Sequence, residues 1–130
     1  MELDADVREL AQAPNFATLT TLFPDGQPQT QVVWIDNDDD HLLINTEVHR
    51  PKYKNVTRDP RVTVTIWELG NPYRFIEVRG RLVDTVRGDE ARRHIDTCSE
   101  AYLGKPWPAE IVSERAILKI APGRMHRHDM

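Results

Sequence analysis

Alternating apolar and polar residues predict a chain that is mainly β. In the segment from Arg61 to Trp67, for example, Val62, Val64 and Ile66 fall on one face of a strand. Turn residues at Pro24-Asp-Gly26 separate the first two strand-like runs and predict a hairpin. The predicted strands are Phe16–Phe23, Gln29–Ile35, His41–Thr46, Arg61–Trp67, Tyr73–Val86 and Ala116–Ala121. Hairpin-length connections between six or so strands favour an antiparallel barrel over a parallel sheet.

Three segments have helical patterns, at Asp4–Ala11, within Arg50–Arg61 and at Asp89–Leu103. The third is the longest, and its apolar stripe consists of Ala91, Ile95, Cys98 and Tyr102. Gly104 follows it as a residue suited to ending a helix. We therefore expect a small barrel with this long helix packed against it.

Glycine and proline residues predict interruptions in the strands of the C-terminal half of the chain. Gly80 interrupts the longest strand and predicts a bulge or bend there. Pro122-Gly123 predicts a turn after the last strand, followed by a frayed tail, His126-Arg-His-Asp-Met130. The two histidines of this tail are too few for a metal centre. The acidic run Asp36–Asp40 lacks the glycine and glutamate of a calcium loop, so we predict no metal site.

Composition narrows the possible functions. A chain of 130 residues predicts a single domain spanning residues 1–130. Its net charge of -4 gives no reason to expect nucleic acid binding. One cysteine, an acidic N-terminus and no apolar run of membrane-spanning length predict a cytoplasmic protein without stable membrane insertion.

The segment from Arg50 to Arg61 carries mostly positive charge in an otherwise acidic chain. Pro51 suits the first position of a helix, and Pro60 closes the segment because it disfavours helical geometry in the residue before it. A helix N-terminus flanked by Arg50, Lys52 and Lys54 is a candidate anion site. Thr46 and Asn55 can add a hydroxyl and an amide. These residues suit a phosphate, but a solvated basic helix is the alternative interpretation.

No other segment predicts catalytic chemistry. Cys98 lies on the apolar stripe of the long helix, which favours a buried structural thiol over a nucleophile. Neither a serine-histidine arrangement nor a glycine-rich phosphate loop is recognisable. We therefore assign no catalytic acid, base or nucleophile.

The basic helix and its flanking strands resemble a known superfamily. Thr18–Gln29, Leu43–Thr46 and Arg50–Arg61 resemble the split β-barrel flavin and deazaflavin oxidoreductases related to pyridoxamine 5′-phosphate oxidase. Pro72–Leu82 and Tyr102–Trp107 resemble the short F420-dependent members of actinobacteria. The resemblance extends from about Leu10 to Ile120 and implies an FMN-binding-like split antiparallel β-barrel.

The resemblance also implies a homodimer with two cofactor sites at the subunit interface. It places the cofactor phosphate against Arg50, Lys52, Lys54, Thr46 and Asn55. The ring system would lie near Gln29, Thr30, Gln31, Val32 and Val33. Trp67, Pro72 and Tyr73 would make contacts from the partner subunit, although packing within the barrel or interface is an equal interpretation of the two aromatic residues.

The activity implied is hydride transfer between reduced F420 and a small unsaturated or quinone-like substrate. An FMN-binding oxidoreductase, or a non-catalytic protein that binds flavin, F420 or haem, is the alternative. Lys54, Arg58 and Arg61 favour F420, because this coenzyme carries an acidic tail beyond its phosphate. Pyridoxamine phosphate oxidase activity itself is not expected, since little sequence follows the last predicted strand.

Overall fold

A computed structural model describes residues 2–129, which form one antiparallel sheet and three helices. The helices are α1 Ala5–Gln12, α2 Pro51–Arg58 and α3 Asp89–Leu103. The strands are β1 Phe16–Leu22, β2 Pro28–Trp34, β3 Asp36–Asn37, β4 Leu42–Glu47, β5 Arg61–Glu68, β6 Asn71–Arg87 and β7 Arg115–His128. The prediction of a mainly β chain with a long helix and a short basic helix is confirmed.

The seven strands of residues 2–129 follow the order β2-β1-β5-β6-β7-β4-β3. The sheet curls so that β2 contacts β4, although they are far apart in this order. Side chains from both halves of the sheet fill the interior, among them Leu19, Ile44, Ile66 and Leu118, which are almost completely buried. The predicted split antiparallel barrel is therefore confirmed.

The last strand is longer than predicted. β7 continues through Pro122 and Gly123 to His128, so the predicted turn and frayed tail are wrong. His126 pairs with Glu77 of β6, and His128 pairs with Phe75. Residues 126–128 extend the sheet because β6 is long enough to pair with them. Of the predicted tail residues, Met130 lies outside the described range.

A bulge lets β7 pass these two residues without ending. Arg79 pairs with Arg124 and Gly80 pairs with Pro122, which leaves Gly123 as an extra residue in β7. A proline is tolerated at such a position because the ladder is already interrupted there. A Cβ atom on Gly80 would lie 2.4 Å from the carbonyl oxygen of Ala121. The bulge predicted at Gly80 is confirmed.

The remaining elements gather beside β4. The predicted turn Asp36–Asp40 begins with the two-residue strand β3, which pairs with Leu42 and Leu43. α2 follows β4 after a short turn, and α3 contacts β4, β6 and β7. β4, α2, α3 and the start of β7 therefore converge near the end of β2. No helix among residues 2–129 has the length and apolar content needed to cross a bilayer.

Candidate functional site

A cavity of about 360 Å³ lies where β2, β4, α2, α3 and β7 meet. This volume is within the usual range for small-molecule sites. Its lining consists of Phe16, Val32, Val33, Trp34, Leu43, Asn45, Thr46, Arg50, Lys52, Ile95, Cys98, Trp107 and Arg115. The lining combines apolar and aromatic side chains with three cations, and it includes no acidic residue among those described.

The N-terminus of α2 supplies two of these cations. Arg50 is the N-cap residue, with extended backbone angles, and Pro51 takes the first helical position as predicted. No side chain caps the N–H groups of the first turn. The positive end of the helix dipole and the charges of Arg50 and Lys52 therefore act on the same region.

Lys52 is half-buried and forms no ion pair with an acidic side chain in the part of the chain described. Burial lowers the pKa of its ammonium group, and the cations Arg50 and Arg115 lower it further. The three positive charges thus oppose one another in a partly desolvated place. A bound anion would relieve this repulsion.

Arg115 is the third cation and was not predicted from the sequence. It is 6% exposed, and its Nε atom donates a hydrogen bond of 2.8 Å to Oδ1 of Asn45. Its guanidinium group lies 5.3 Å from the centre of the Trp107 ring and 3.7 Å from Oε2 of Glu47. The side chain is therefore held in one orientation at the cavity wall.

Glu47 balances part of this charge from behind the cavity. Burial acts against its ionised form, but backbone N–H groups of Ser113 and Val112 and the Arg115 cation hold the pKa of Glu47 below its ordinary value. The Ser113 N–H lies 2.6 Å from Oε1. With one buried carboxylate against three cations, the local charge remains positive.

A chain of hydrogen bonds fixes Asn45. Its Nδ2 atom donates to the carbonyl of Ala91 at 2.9 Å and lies 3.0 Å from Nδ1 of His94. Nδ1 must then accept, so Nε2 carries the hydrogen and donates to Oδ2 of Asp36 at 2.9 Å. The series Asp36–His94–Asn45–Arg115 connects β3 through α3 and β4 to the cavity wall.

Asp36, His94 and Cys98 bring three potential metal-binding atoms within 4.8 Å of one another. A metal ion would need the lone pair of Nε2, but the hydrogen bond from Asn45 leaves that nitrogen protonated in the neutral ring. Burial, together with the nearby charge of Asp36, raises the pKa of the Cys98 thiol to about 12, so a thiolate is strongly disfavoured. We interpret this cluster as part of the hydrogen-bonded series.

Aromatic rings form the other wall of the cavity. Trp34 stacks on Tyr102 with ring centres 4.8 Å apart, and Trp107 meets Trp34 edge-on at 5.6 Å. The Tyr102 hydroxyl accepts from the N–H of Ile35 at 3.0 Å and donates to the carbonyl of Asn15. The backbone N–H of Trp107 donates to Oδ1 of Asp96 at 3.0 Å, which ties the loop after α3 to that helix. These contacts hold Trp34 and Trp107 in place at the cavity lining, where the Trp107 ring also contacts the Arg115 guanidinium group.

Two buried polar atoms of the lining residues have no hydrogen-bond partner in the described range. They are Oγ1 of Thr46 and Nε1 of Trp107. A buried polar group without a partner costs about 1–3 kcal/mol. A ligand that supplies an acceptor here would recover part of that cost.

The cavity brings together part of the predicted site. Val32, Val33, Thr46, Arg50 and Lys52 all belong to its lining. Of the five residues predicted to lie near the ring system, only Val32 and Val33 belong to the lining. The sequence correctly indicated the helix N-terminus and the end of β4 as neighbours, because both flank one short turn.

The other predicted site residues lie outside this lining. Asn55 is buried, and its Nδ2 atom donates to Oγ1 of Thr21 at 3.1 Å and to Oε1 of Gln29 at 3.3 Å. Thr30 bonds the Thr20 hydroxyl at 2.7 Å. Gln31 and Lys54 are exposed. Asn55 and Gln29 therefore tie α2 to the first hairpin.

Trp67 and Tyr73 lie on the β5–β6 hairpin. Tyr73 is 63% exposed, and Trp67 shares the outer face of β5 with Thr63 and Thr65. Both were assigned to contacts from a partner subunit. The assignment of Trp67 and Tyr73 to partner contacts stays a prediction.

A family model described as pyridoxamine 5′-phosphate oxidase matches residues 3–129. The chain belongs to the pyridoxamine 5′-phosphate oxidase family. The resemblance inferred from the basic helix is therefore confirmed for nearly the whole chain. No curated protein sequence matches this family member.

Solved structures with the same fold have different functions. An F420 reductase has a TM-score of 0.80 and 28% identity, covering 92% of this family member and 94% of that chain. A conserved hypothetical protein from Mycobacterium tuberculosis has a TM-score of 0.77 and 24% identity, and the match covers 99% of this family member and 86% of that chain. HutZ, a haem storage protein from Vibrio cholerae, has a TM-score of 0.65 and 10% identity, and the match covers 98% of this family member and 96% of that chain. The last two show the fold alone.

Proposed function

We propose that the protein is an F420H2-dependent oxidoreductase that transfers a hydride between the deazaflavin coenzyme and a small unsaturated or quinone-like substrate. The observation that carries this proposal is a single cavity lined by three cations and by the aromatic side chains of Phe16, Trp34 and Trp107. The 28% identity to an F420 reductase across 92% of the chain supports the choice of coenzyme.

The residues present fit a phosphate-bearing coenzyme. Arg50, Lys52 and Arg115 would hold the phosphate, since charge-assisted donors bind it most strongly. The unpartnered hydroxyl of Thr46 adds a neutral donor from the end of β4. The positive end of α2 points to the same group. Lys52 and the Thr46 hydroxyl have no partner among the described residues that a phosphate would have to displace.

The ring system fits between β2 and the aromatic wall. Backbone groups at Val32 and Val33 would bind its polar edge, while Trp34 and Trp107 would cover a face. When bound, the coenzyme supplies the hydride chemistry, and the protein orients the reactants and excludes water. We assign no catalytic acid or base among the described residues.

The predicted residues outside the cavity have supporting roles in this proposal. Asn55 and Gln29 fix α2 through their hydrogen bond, and Thr30 and Gln31 lie along the strand that would carry the ring. Lys54 is exposed and would meet the acidic tail of the coenzyme.

The proposal includes a homodimer in the cytoplasm. Trp67 and Tyr73 of the partner would complete the site, and the exposed side chains of Leu69 and Tyr73 on one hairpin support a covered surface there. A reducing compartment suits the unpaired, buried Cys98.

Titration of the purified protein with F420 and with FMN, followed by fluorescence quenching, tests the coenzyme assignment. We expect F420 to bind more tightly. Replacing Arg50 with alanine should weaken that binding by about 1.5–3 kcal/mol, as for a lost charged hydrogen bond. Arg93→Ala is the matched control, because Arg93 is an exposed cation of α3 outside the cavity. Tight FMN binding without F420 binding would contradict the coenzyme choice.

Turnover separates an enzyme from a carrier. The protein with F420H2 should oxidise the coenzyme in the presence of at least one member of a panel of enones and quinones. The same panel without protein gives the background rate. If no substrate raises oxidation above background while F420 or a tetrapyrrole binds tightly, the protein is a carrier and the enzymatic proposal fails.

A further inference from the structure

A second cavity, of about 510 Å³, opens among β1, β5, β6 and β7. It shares no lining residue with the candidate coenzyme site. Four arginines line it, namely Arg61, Arg79, Arg81 and Arg124, and none of its lining residues is acidic. We refer to it as the arginine cavity. It is unexpected in a chain whose net charge is -4.

The four arginines form two directly opposed pairs. Arg61 of β5 lies opposite Arg81 of β6, and Arg79 of β6 lies opposite Arg124 of β7. Like charges directly opposite on neighbouring strands destabilise a sheet. Four cations concentrated on three adjacent strands therefore need compensation.

Protein side chains compensate only half of this charge. Arg61 pairs with Asp59 at 2.7 Å, and Arg79 pairs with Glu77 at 3.2 Å. Arg81 and Arg124 have no ion pair and no side-chain hydrogen bond within residues 2–129. Two guanidinium groups, one from each opposed pair, thus remain available to a ligand.

The interior of the arginine cavity is apolar. Leu22, Val83 and Pro122 are among its apolar lining residues, and Val83 is exposed. The bulge adds two glycines, and a Cβ atom on Gly123 would lie 2.8 Å from the carbonyl oxygen of Arg79. The volume exceeds the need of one phosphate and suits an organic molecule with more than one acidic group.

We propose that the arginine cavity is a second ligand site, which binds a small organic polyanion carrying two or more phosphate or carboxylate groups. Arg81 and Arg124 pair with the acidic groups, because a guanidinium group binds either oxyanion through two parallel hydrogen bonds. The apolar residues contact the body of the molecule. The site shares no lining residue with the candidate coenzyme site, and the coenzyme assignment makes no use of its two unpaired cations, Arg81 and Arg124.

Thermal unfolding with pyrophosphate or citrate as probe tests the site. The test uses the Arg50→Gln/Lys52→Gln protein, in which anion binding at the candidate coenzyme site is weakened, and holds ionic strength constant with sodium chloride. We expect at least one probe to raise Tm in a saturable manner, because a ligand that binds only the folded state stabilises it. Pyrophosphate tests phosphate recognition and citrate tests carboxylate recognition, and a response to either supports the site.

Adding Arg81→Gln and Arg124→Gln to that protein should weaken the apparent affinity for the probe at least tenfold. Adding Arg93→Gln and Lys105→Gln removes the same charge from exposed positions outside both cavities and should leave the affinity unchanged. If the Arg81/Arg124 protein unfolds prematurely, Arg124→Gln alone replaces it, with a smaller loss expected.

Two results would overturn the proposal. One is that neither probe raises the Tm of the Arg50→Gln/Lys52→Gln protein in a saturable manner. This result is expected if acidic groups of a second copy of the chain fill the cavity. The other is a rise that persists equally after Arg81 and Arg124 are replaced.

Discussion

Arg115 and Asn45 meet across neighbouring strands, with Nε of the arginine donating to Oδ1 of the asparagine at 2.8 Å. This hydrogen bond joins the start of β7 to β4 and orients the third cation of the candidate site. Asn45 is itself fixed by Ala91 and His94 of α3. The charge that faces the cavity therefore depends on contacts well outside its lining.

Asn45→Ala should weaken F420 binding by about 1–2 kcal/mol, because it removes the acceptor that orients a charged donor. Fluorescence titration measures the affinity, and circular dichroism checks that the fold is retained. Asn37→Ala is the control, since the Asn37 side chain bonds only the neighbouring carbonyl of Asp38 and lies outside the cavity. Equal affinities for wild type and Asn45→Ala would refute the positioning role.

Affinity for the coenzyme should fall as pH rises through the lowered pKa of Lys52, below the ordinary value of 10.5. The cause is loss of the ammonium charge that pairs with the phosphate. Lys52→Arg should remove this decline, because arginine stays protonated throughout. Parallel titrations of both proteins across the alkaline range measure the difference, and identical slopes would contradict the assignment.

The same group has the opposite effect on the stability of the unliganded protein. In the unfolded chain Lys52 keeps its proton up to about pH 10.5, whereas the folded chain releases it earlier. The unfolded state thus binds more protons in this window, so the Lys52 contribution to stability rises with pH. Urea unfolding at several pH values, compared with Lys52→Arg, measures it.

Local sequence signals predicted the helices well. The bounds of α3 were correct because an apolar stripe and a C-terminal glycine both act within a few residues. The position of Pro51 likewise placed the start of α2. The same locality explains why Thr46, Arg50 and Lys52, which were placed at one corner from the sequence, line the same cavity.

Long-range pairing could not be predicted in this way. Arg115 precedes an apolar strand without any motif, and its role comes from partners about seventy residues earlier in the chain. Pro122-Gly123 has the composition of a turn, but the length of β6 decides that it forms a bulge. The network of Asn55 and Gln29 also depends on how α2 docks on the first hairpin.

Gly80→Ala should destabilise the protein by about 1–3 kcal/mol, because the added methyl group collides with backbone that side-chain movement cannot relieve. The nearest atom would be the Ala121 carbonyl oxygen at 2.4 Å. Urea unfolding gives the free energy. Val83→Ala, an exposed change on the same strand, should have a much smaller effect. Equal losses in the two variants would rule out a specific requirement at the bulge.

Tyr102→Phe should cost about 1–3 kcal/mol of stability, since it leaves the N–H of Ile35 and the carbonyl of Asn15 without their partner. Burial raises the pKa of this phenol to about 12, so the hydroxyl stays neutral at the pH of the experiment. Tyr73→Phe is the matched control, because that ring is 63% exposed and should lose little. Denaturant midpoints that fall equally in both variants would contradict this account.

The position of β7 has a consequence for synthesis. Its first half pairs with β4 and also pairs with β6, so this last strand joins the two parts of the sheet. During translation, β1, β2, β5 and β6 can pair as soon as they emerge, but β3 and β4 have no route into the sheet until β7 has left the ribosome. Ribosome-bound nascent chains should therefore hold a partial sheet of β2, β1, β5 and β6 whose β6 edge stays open to chaperones, and Arg115 reaches its cavity only in the final step.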